Sequence, residues 1–358
     1  MRFPILACLI LGRACSQVPF ALDEPAALQP AVQPRIMEGL PYEYQARLES
    51  RDRELSRLPA TIDGQPAFLV LNTLKRWPNN TTVRVAFLGG SDDLRRQITT
   101  IAKGWLATGA NIKLDFGEDG QGHFRSWTVT DTKLVADVRV SFNQRGYWSL
   151  VGTDSNNSAV ISPNMASMNL QSFDTALPAD WAGVVRHEFG HALGFEHEHQ
   201  SSAGSCEDVF RWADDQGYQL TRDQFGQAME DAEHRRPGIY TVLGNAPNYW
   251  PRDMVDHNLR RLPNSSAYDT GTFDPKSIMK YWFPSWMFKD PNNNCFTPAA
   301  NDDFSKQDLA RMIAIYPPGG SNDAHKHEVL LQSLLDAKTT PVSLRPSFEE
   351  RVDRLKQK

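Results

Sequence analysis

Three histidines and one glutamate stand at spacings that suit a metal site. His187 and His191 are four positions apart, so on a helix both imidazoles lie on one face and can bind the same ion. Glu188 follows His187, where its carboxylate can reach a water on that ion without binding the ion itself. Gly194 can adopt the left-handed conformation that ends a helix, and this reversal brings His197 back as a third imidazole. Three neutral nitrogen ligands with an open fourth position are typical of a catalytic zinc site, whereas a structural zinc site is closed.

A second motif lies downstream of the histidines. Residues 274–281 read Asp-Pro-Lys-Ser-Ile-Met-Lys-Tyr, in which a turn-forming Asp-Pro precedes a Ser-Ile-Met-x-Tyr segment. Together with H-E-x-x-H-x-x-G-x-x-H at 187–197, this segment resembles the metzincin clan of zinc endopeptidases. Within that clan, Glu198 after the third histidine and Tyr281 two residues past Met279 are similar to marks of the astacin family. The resemblance covers about residues 70 to 317.

The resemblance implies a hydrolytic mechanism that uses one catalytic Zn²⁺. The ion lowers the pKa of a bound water, and Glu188 takes the proton of that water and passes it to the leaving amine. Tyr281 is expected to ligate zinc at rest and then to hydrogen-bond the tetrahedral intermediate, the alternative being a packed aromatic beneath the site. Met279 is expected to form an apolar floor under the imidazoles. Glu198 resembles the glutamate that contacts the mature N-terminus in astacins, and His199 has no ligand spacing and is interpreted as a surface residue.

Charge and composition argue against some partners, and the N-terminal pattern predicts secretion. The net charge of −5 and the pI near 6.0 give no electrostatic reason to expect nucleic acid or an anionic membrane as a partner. No run of 18 apolar residues, the length that crosses a bilayer, occurs in the sequence. Residues 1–16 contain Arg2, then an apolar run and then small residues. This pattern predicts a secretory signal peptide, and a buried strand is the alternative.

Cysteine usage and glycosylation sequons agree with secretion. Removal of the signal peptide would take Cys8 and Cys15 with it and leave Cys206 and Cys295. In an oxidising compartment this pair predicts one disulfide, and two free buried thiols are the alternative. Astacins usually carry two disulfides at other spacings, so the chain departs from the family here. Asparagines in the N-x-S/T pattern predict a glycoprotein and lie at Asn79, Asn80, Asn156 and Asn264.

The rest of the chain divides into three further segments. Residues 17–67 are rich in Pro, Ala and charge and are interpreted as a pro-segment or an N-terminal arm. They contain no cysteine that could cap zinc and no Phe-x-Gly-Asp segment of the kind that astacin pro-regions use. Residues 68–318 are the predicted catalytic domain. Residues 319–358 form a tail with one amphipathic piece, either a docking helix or largely disordered.

The predicted fold class is α+β, with a mixed twisted sheet and the zinc helix in an N-terminal subdomain. Alternation at 82–87 indicates a half-buried strand, and an apolar stripe between residues 94 and 105 indicates a helix. By resemblance, Met168, Asn169 and Leu170 form the edge strand along the cleft, which could pair with an extended substrate, an ordinary surface loop being the alternative. The C-terminal subdomain is expected to be largely irregular and closed by a helix that starts near Ser305.

Two other functions are compatible with the same residues. One is a zinc-binding protein without catalysis, such as a pseudoprotease that acts as a recognition module. The presence of Glu188 and all three histidines favours an enzyme, because decayed enzymes usually lose the base or a ligand. The other is hydrolysis of a non-protein amide, such as a peptidoglycan cross-link, which uses the same chemistry.

Overall fold

The computed structural model describes residues 38–262 and 272–356, in which every element named below lies. The predicted signal peptide at 1–16, the first part of the predicted arm and the sequon at Asn264 lie outside these ranges. Within them, none of the helices combines the length and the apolar character that crossing a bilayer requires.

The described chain begins with an N-terminal arm, residues 38–66. The arm contains one helix and a small antiparallel hairpin: α1 (Tyr42–Leu55), β1 (Thr61–Ile62) and β2 (Gln65–Pro66). Tyr44 of α1 is buried, its ring lies 5.0 Å from that of Trp148, and its hydroxyl donates to the Ala166 carbonyl at 2.9 Å. The helix α2 (Ala67–Lys75) follows the arm. The arm is therefore packed onto the body of the molecule through a helix that its charged sequence did not indicate.

A five-stranded mixed sheet forms the framework beneath the histidines. Its strands lie in the order β4-β3-β5-β7-β6, and all neighbours are parallel except β6 and β7. This confirms the predicted α+β class with a mixed sheet. The strands are β3 (Thr81–Phe87), β4 (Ile112–Asp115), β5 (Val138–Ser141), β6 (Tyr147–Ser149) and β7 (Met168–Leu170).

The prediction that residues 168–170 form the edge strand is wrong. Met168 of β7 is opposite Val140 of β5 on one side and Ser149 of β6 on the other, so β7 is an inner strand. Met168, Asn169 and Leu170 are all fully buried, as expected for a strand with both edges paired. The antiparallel strand β6 takes the edge position instead.

Two helices pack against the sheet in one apolar core. The helix α3 (Asp92–Ala102) starts at the predicted N-cap Ser91, whose hydroxyl accepts from the Leu94 amide at 3.2 Å. A 3₁₀ turn at 103–108 then buries Trp105. The helix α4 (Trp181–Ala192) carries the first two histidines of the motif and contributes buried apolar residues to the same core.

The chain after the motif consists mainly of short elements, as predicted for the C-terminal subdomain. They are α5 (Cys206–Val209), β8 (Thr221–Arg222), β9 (Ala228–Met229), α6 (Ile239–Leu243) and α7 (Arg252–Leu259). Cys206 and Cys295 form a disulfide inside the apolar cluster of this region, 89 residues apart in sequence. The helix α8 (Lys306–Ile315) closes the region and starts with the predicted capping box of Ser305 and Asp308.

The tail is helical. The helices α9 (Ala324–Asp336) and α10 (Arg345–Lys356) pack against each other and against α2. Leu58 and Ile62 of the arm lie in the same apolar cluster as Leu331 and Phe348 of the tail. The tail thus contains two helices, where the sequence indicated one amphipathic piece.

Two of the predicted glycosylation positions are buried. The Asn79 amide nitrogen donates to the Ser321 carbonyl at 3.3 Å, and that of Asn156 donates to Asp137 Oδ1 at 3.0 Å. These asparagines are 7% and 6% exposed, so the folded chain offers neither nitrogen for a glycan. Asn80 is exposed.

Candidate metal centre

The three histidines of the motif converge on one point. The Nε2 atom of His191 lies 3.1 Å from that of His187 and 3.0 Å from that of His197. His187 and His191 are one turn apart on α4, which places both rings on the same face. Gly194, with φ of +99°, reverses the chain after the helix and its amide donates to the His191 carbonyl at 2.8 Å. The reversal brings His197 back, as the sequence predicted.

The other ring nitrogens are held by the protein. His187 Nδ1 donates to the Ile278 carbonyl at 2.6 Å, and His191 Nδ1 donates to the Phe195 carbonyl at 2.7 Å. His197 Nδ1 lies 3.1 Å from Gln200 Oε1. Because each Nδ1 carries the proton, each Nε2 presents a lone pair to the point where the rings meet.

This donor set fits zinc. Three lone pairs facing one another repel unless a cation lies between them, and hydrogen bonds between the rings are excluded by the Nδ1–H tautomers. Nitrogen ligands at about 2.0–2.1 Å from a tetrahedral ion are about 3.3 Å apart, close to the separations of these Nε2 atoms.

The methionine turn supports α4 from below. Met279 is 1% exposed, and the chain on either side of it contacts the motif. The Ile278 carbonyl holds His187, and the Met279 carbonyl accepts from the Glu198 amide at 3.0 Å. Gly190 lies where α4 meets this turn, and an added Cβ there would overlap Met279 Sδ and lie 2.9 Å from Trp105 Cζ2. Sequence analysis gave Gly190 no role, although glycine inside a helix costs stability and so signals a packing constraint.

Glu188 and Tyr281 lie together at the site. Glu188 lies on α4 and is only 1% exposed. Its carboxylate is close enough to Tyr281 to affect the pKa of the phenol. Burial, and then the carboxylates of Glu38 and Glu188, raise the pKa of Tyr281 well above its ordinary value, so the phenol stays protonated. Its ring centroid lies 4.3 Å from that of His197. The hydroxyl donates to the Glu38 carbonyl oxygen at 2.8 Å.

Glu38 of the arm covers the point where the imidazoles meet. Its Oε2 lies 2.8 Å from His187 Nε2, and its Oε1 lies 3.1 Å from His191 Nε2 and 3.4 Å from His197 Nε2. The four side chains form a group that could hold a metal ion, with the carboxylate at the position left open by the histidines.

Sequence reasoning missed Glu38. The arm has neither a cysteine that could cap zinc nor a Phe-x-Gly-Asp segment, but it has a glutamate followed by glycine. Gly39 lies against Trp250, and an added Cβ would be 2.6 Å from Trp250 Cζ2. An acidic residue beside a glycine in the arm was the available signal.

Two neighbours of the motif differ from expectation. His199 is not a surface residue but is 2% exposed, because its ring packs on Tyr281 and Phe283 and its Nε2 donates to the Asn258 carbonyl at 2.8 Å. Burial, reinforced by the neighbouring His197, holds the pKa of His199 well below its usual value. Glu198 is buried and paired with Arg311 of α8.

The solved structures to which the chain is similar include two of myroilysin and one of high choriolytic enzyme 1, a hatching enzyme zinc-protease from the medaka fish Oryzias latipes. One myroilysin structure is 26% identical in sequence to this chain, and the match covers 68% of this chain and 96% of the myroilysin chain with a TM-score of 0.48. The other is 25% identical, and the match covers 68% of this chain and 86% of that chain with a TM-score of 0.40. The hatching enzyme is 13% identical, with coverage of 66% and 88% and a TM-score of 0.36. No protein-family model matches the chain, and neither does any curated protein.

Proposed function

We propose that the chain is a secreted zinc-dependent endopeptidase. His187, His191 and His197 hold one Zn²⁺ ion, and Glu188 is the general base. The observation that carries this proposal is the convergence of three imidazole Nε2 atoms whose Nδ1 atoms are all held by the protein. Such an arrangement leaves one position for a reacting group, which a closed structural site does not.

The residues around the ion divide the work of hydrolysis. When bound, Zn²⁺ supplies Lewis-acid polarisation of a carbonyl and lowers the pKa of a water. Glu188 takes the proton as the water attacks the carbonyl carbon and delivers it to the leaving nitrogen. Tyr281, kept protonated by burial, donates a hydrogen bond to the oxygen on which negative charge develops. Met279 and Gly190 hold the helix that carries the base.

The position of the arm is an argument that the substrate is a peptide. Its backbone passes through the site, where the Glu38 carbonyl accepts the Tyr281 hydroxyl. A peptide carbonyl is therefore accommodated at the distance that the proposed role of Tyr281 requires. We assign residues 1–16 to a signal peptide, 17–67 to a pro-segment, 68–318 to the catalytic domain and 319–358 to the tail. In this assignment the described form is latent, because the Glu38 carboxylate occupies the position of the reacting water.

The test compares the secreted full chain with variants of two carboxylates. Glu38→Gln is expected to cleave casein, and a chelator is expected to abolish the cleavage until zinc is restored. Adding Glu188→Ala to Glu38→Gln should keep the zinc content and lose activity, whereas adding Glu118→Gln, an exposed carboxylate outside the site, should change nothing. A Glu188→Ala protein as active as its parent contradicts the assigned base. Zinc binding without cleavage of any protein or peptide would instead favour a recognition module.

A further inference from the structure

We propose that Arg311 is a positioning residue for the reaction assigned above, and that the site is assembled before the arm leaves. The inference rests on the proposed function. Arg311 lies on α8, far from the histidines in sequence, and its guanidinium binds the carboxylate that follows the third histidine.

Arg311 and Glu198 form a bidentate salt bridge that is largely buried. Arg311 Nη1 donates to Glu198 Oε2, and Nη2 donates to Glu198 Oε1 at 3.2 Å. Nη2 also donates to the Thr272 carbonyl at 2.8 Å, and the Asp274 amide donates to Glu198 Oε1 at 2.6 Å. The Arg311 and Glu198 side chains are 14% and 7% exposed. Bidentate pairs of this kind fix orientation as well as contribute energy.

This pair connects α8 to the metal ligands. Glu198 is bonded covalently to His197, and its amide donates to the Met279 carbonyl. One turn earlier on α8, Asp308 accepts from the Ser277 hydroxyl at 2.6 Å and from the Ile278 amide at 2.9 Å. The Ile278 carbonyl in turn holds His187. Arg311 and Asp308 therefore fix the third and the first imidazole from one helix.

The same contacts change the role that the resemblance gave to Glu198. Both of its carboxylate oxygens already accept hydrogen bonds, and its cationic partner is Arg311. A new α-amino group made by cutting the arm finds no exposed carboxylate at this position. Activation then needs the departure of Glu38 only, and no docking of a new N-terminus.

The test places Arg311→Met and Arg311→Lys in the full-length Glu38→Gln protein. Residues that orient metal ligands typically affect metal affinity or activity by about 10–100-fold. Arg311→Met is therefore expected to lower kcat by about that factor at little-changed KM, and to raise the zinc dissociation constant similarly. Arg311→Lys keeps the charge but not the two-armed geometry and should lie between the parent and Arg311→Met. Lys306→Met, on the exposed face of α8, is the matched control and should leave both quantities unchanged.

Further measurements separate positioning from stability. The absorption spectrum of the cobalt-loaded protein should change in Arg311→Met, since the residue next to the third imidazole loses its link to α8. If Arg311→Met fails to fold, Arg311→Lys and Glu198→Gln carry the same comparison. A lowered melting temperature with parental kcat, zinc affinity and cobalt spectrum overturns the proposal. The zinc and cobalt readouts remain informative even if the protein cleaves no peptide.

A modification of the N-terminus tests the second half of the inference. Acetylation of the α-amino group that arm cleavage produces is expected to leave kcat unchanged. A large loss of kcat on acetylation would show that the new terminus takes part in the site, contrary to the proposal.

Discussion

Arg51 of α1 and Asp154 in the 3₁₀ turn at 152–156 form an ion pair in which the side chains are only 7% and 5% exposed. The pair joins the arm to the body of the molecule. Removing one member of a buried pair leaves an uncompensated charge and typically costs about 3–5 kcal/mol. Arg51→Met is therefore expected to loosen the arm, seen as faster hydrogen exchange in α1 and as peptide cleavage by the unprocessed chain. Arg53→Met on the same helix removes an arginine that is 68% exposed and should change neither. An Arg51→Met protein with parental exchange in α1 would mean that the ion pair does not hold the arm.

Glu38→Gln tests whether the arm carboxylate keeps the site closed. The neutral amide of glutamine is attracted to a metal cation less strongly than the carboxylate is, so the arm competes less well with the substrate for the site. We expect the unprocessed variant to cleave a fluorogenic peptide at least about tenfold faster than the parent, equivalent to ~1.4 kcal/mol. Glu43→Gln changes an exposed carboxylate in the same arm and serves as the control. Equal basal rates for Glu38→Gln and the parent would remove Glu38 from the latency mechanism.

The disulfide contributes to the stability of the C-terminal subdomain. Cys206 and Cys295 close a loop with a sequence separation of 89 residues. The chain-entropy model gives such a loop about 4–5 kcal/mol. The double variant Cys206→Ser/Cys295→Ser is expected to unfold at lower denaturant by about this free energy. Reductant should lower the stability of the parent and leave the variant unaffected, and a parent insensitive to reductant contradicts the assignment.

The buried imidazole of His327 on α9 is expected to make the folded protein less stable in acid. Burial lowers the pKa of His327 to about 4, with Asp323 opposing the shift and Arg351 and Lys326 adding to it. The unfolded chain takes up this proton near pH 6.5, the ordinary value, so protonation favours unfolding. The contribution is fully present above about pH 6.5 and is lost as the pH falls towards about 4, by up to about 3 kcal/mol.

The measurement is the free energy of unfolding at pH 7.5 and at pH 5. His327→Gln should reduce the difference between the two values, because glutamine does not titrate. His325→Gln, on the same helix with a side chain 85% exposed, should keep the parental difference. If both variants behave alike, His327 is not the source of the acid sensitivity.

The local part of the site was predictable from sequence, and the long-range part was not. The spacing of His187, His191 and His197 and the glycine after the helix depend on geometry within a dozen residues. Glu38 reaches His187, and Arg311 reaches Glu198, from more than 100 residues away in sequence. Their positions depend on how the arm and α8 pack, which no local periodicity encodes.

The strands show the same limit. The seven residues of β3 alternate long enough to be recognised. The strands β6 and β7 have three residues each, too few for a period, so their order in the sheet depends on tertiary pairing. The helix α1 was missed because half of its residues are charged and it packs through few apolar side chains, Tyr44 and Leu48 among them.

The arm is anchored on both sides of Arg57, which is exposed. On one side α1 packs on Trp148, and on the other Leu58 and Ile62 insert among the tail helices. Scission near Arg57 would therefore leave the severed piece, which carries Glu38 and α1, still bound to the body of the molecule. For the proposed pro-segment, activation would then end with the dissociation of a bound peptide. Dilution shifts that equilibrium towards the free enzyme, and the shed peptide can rebind as an inhibitor in trans.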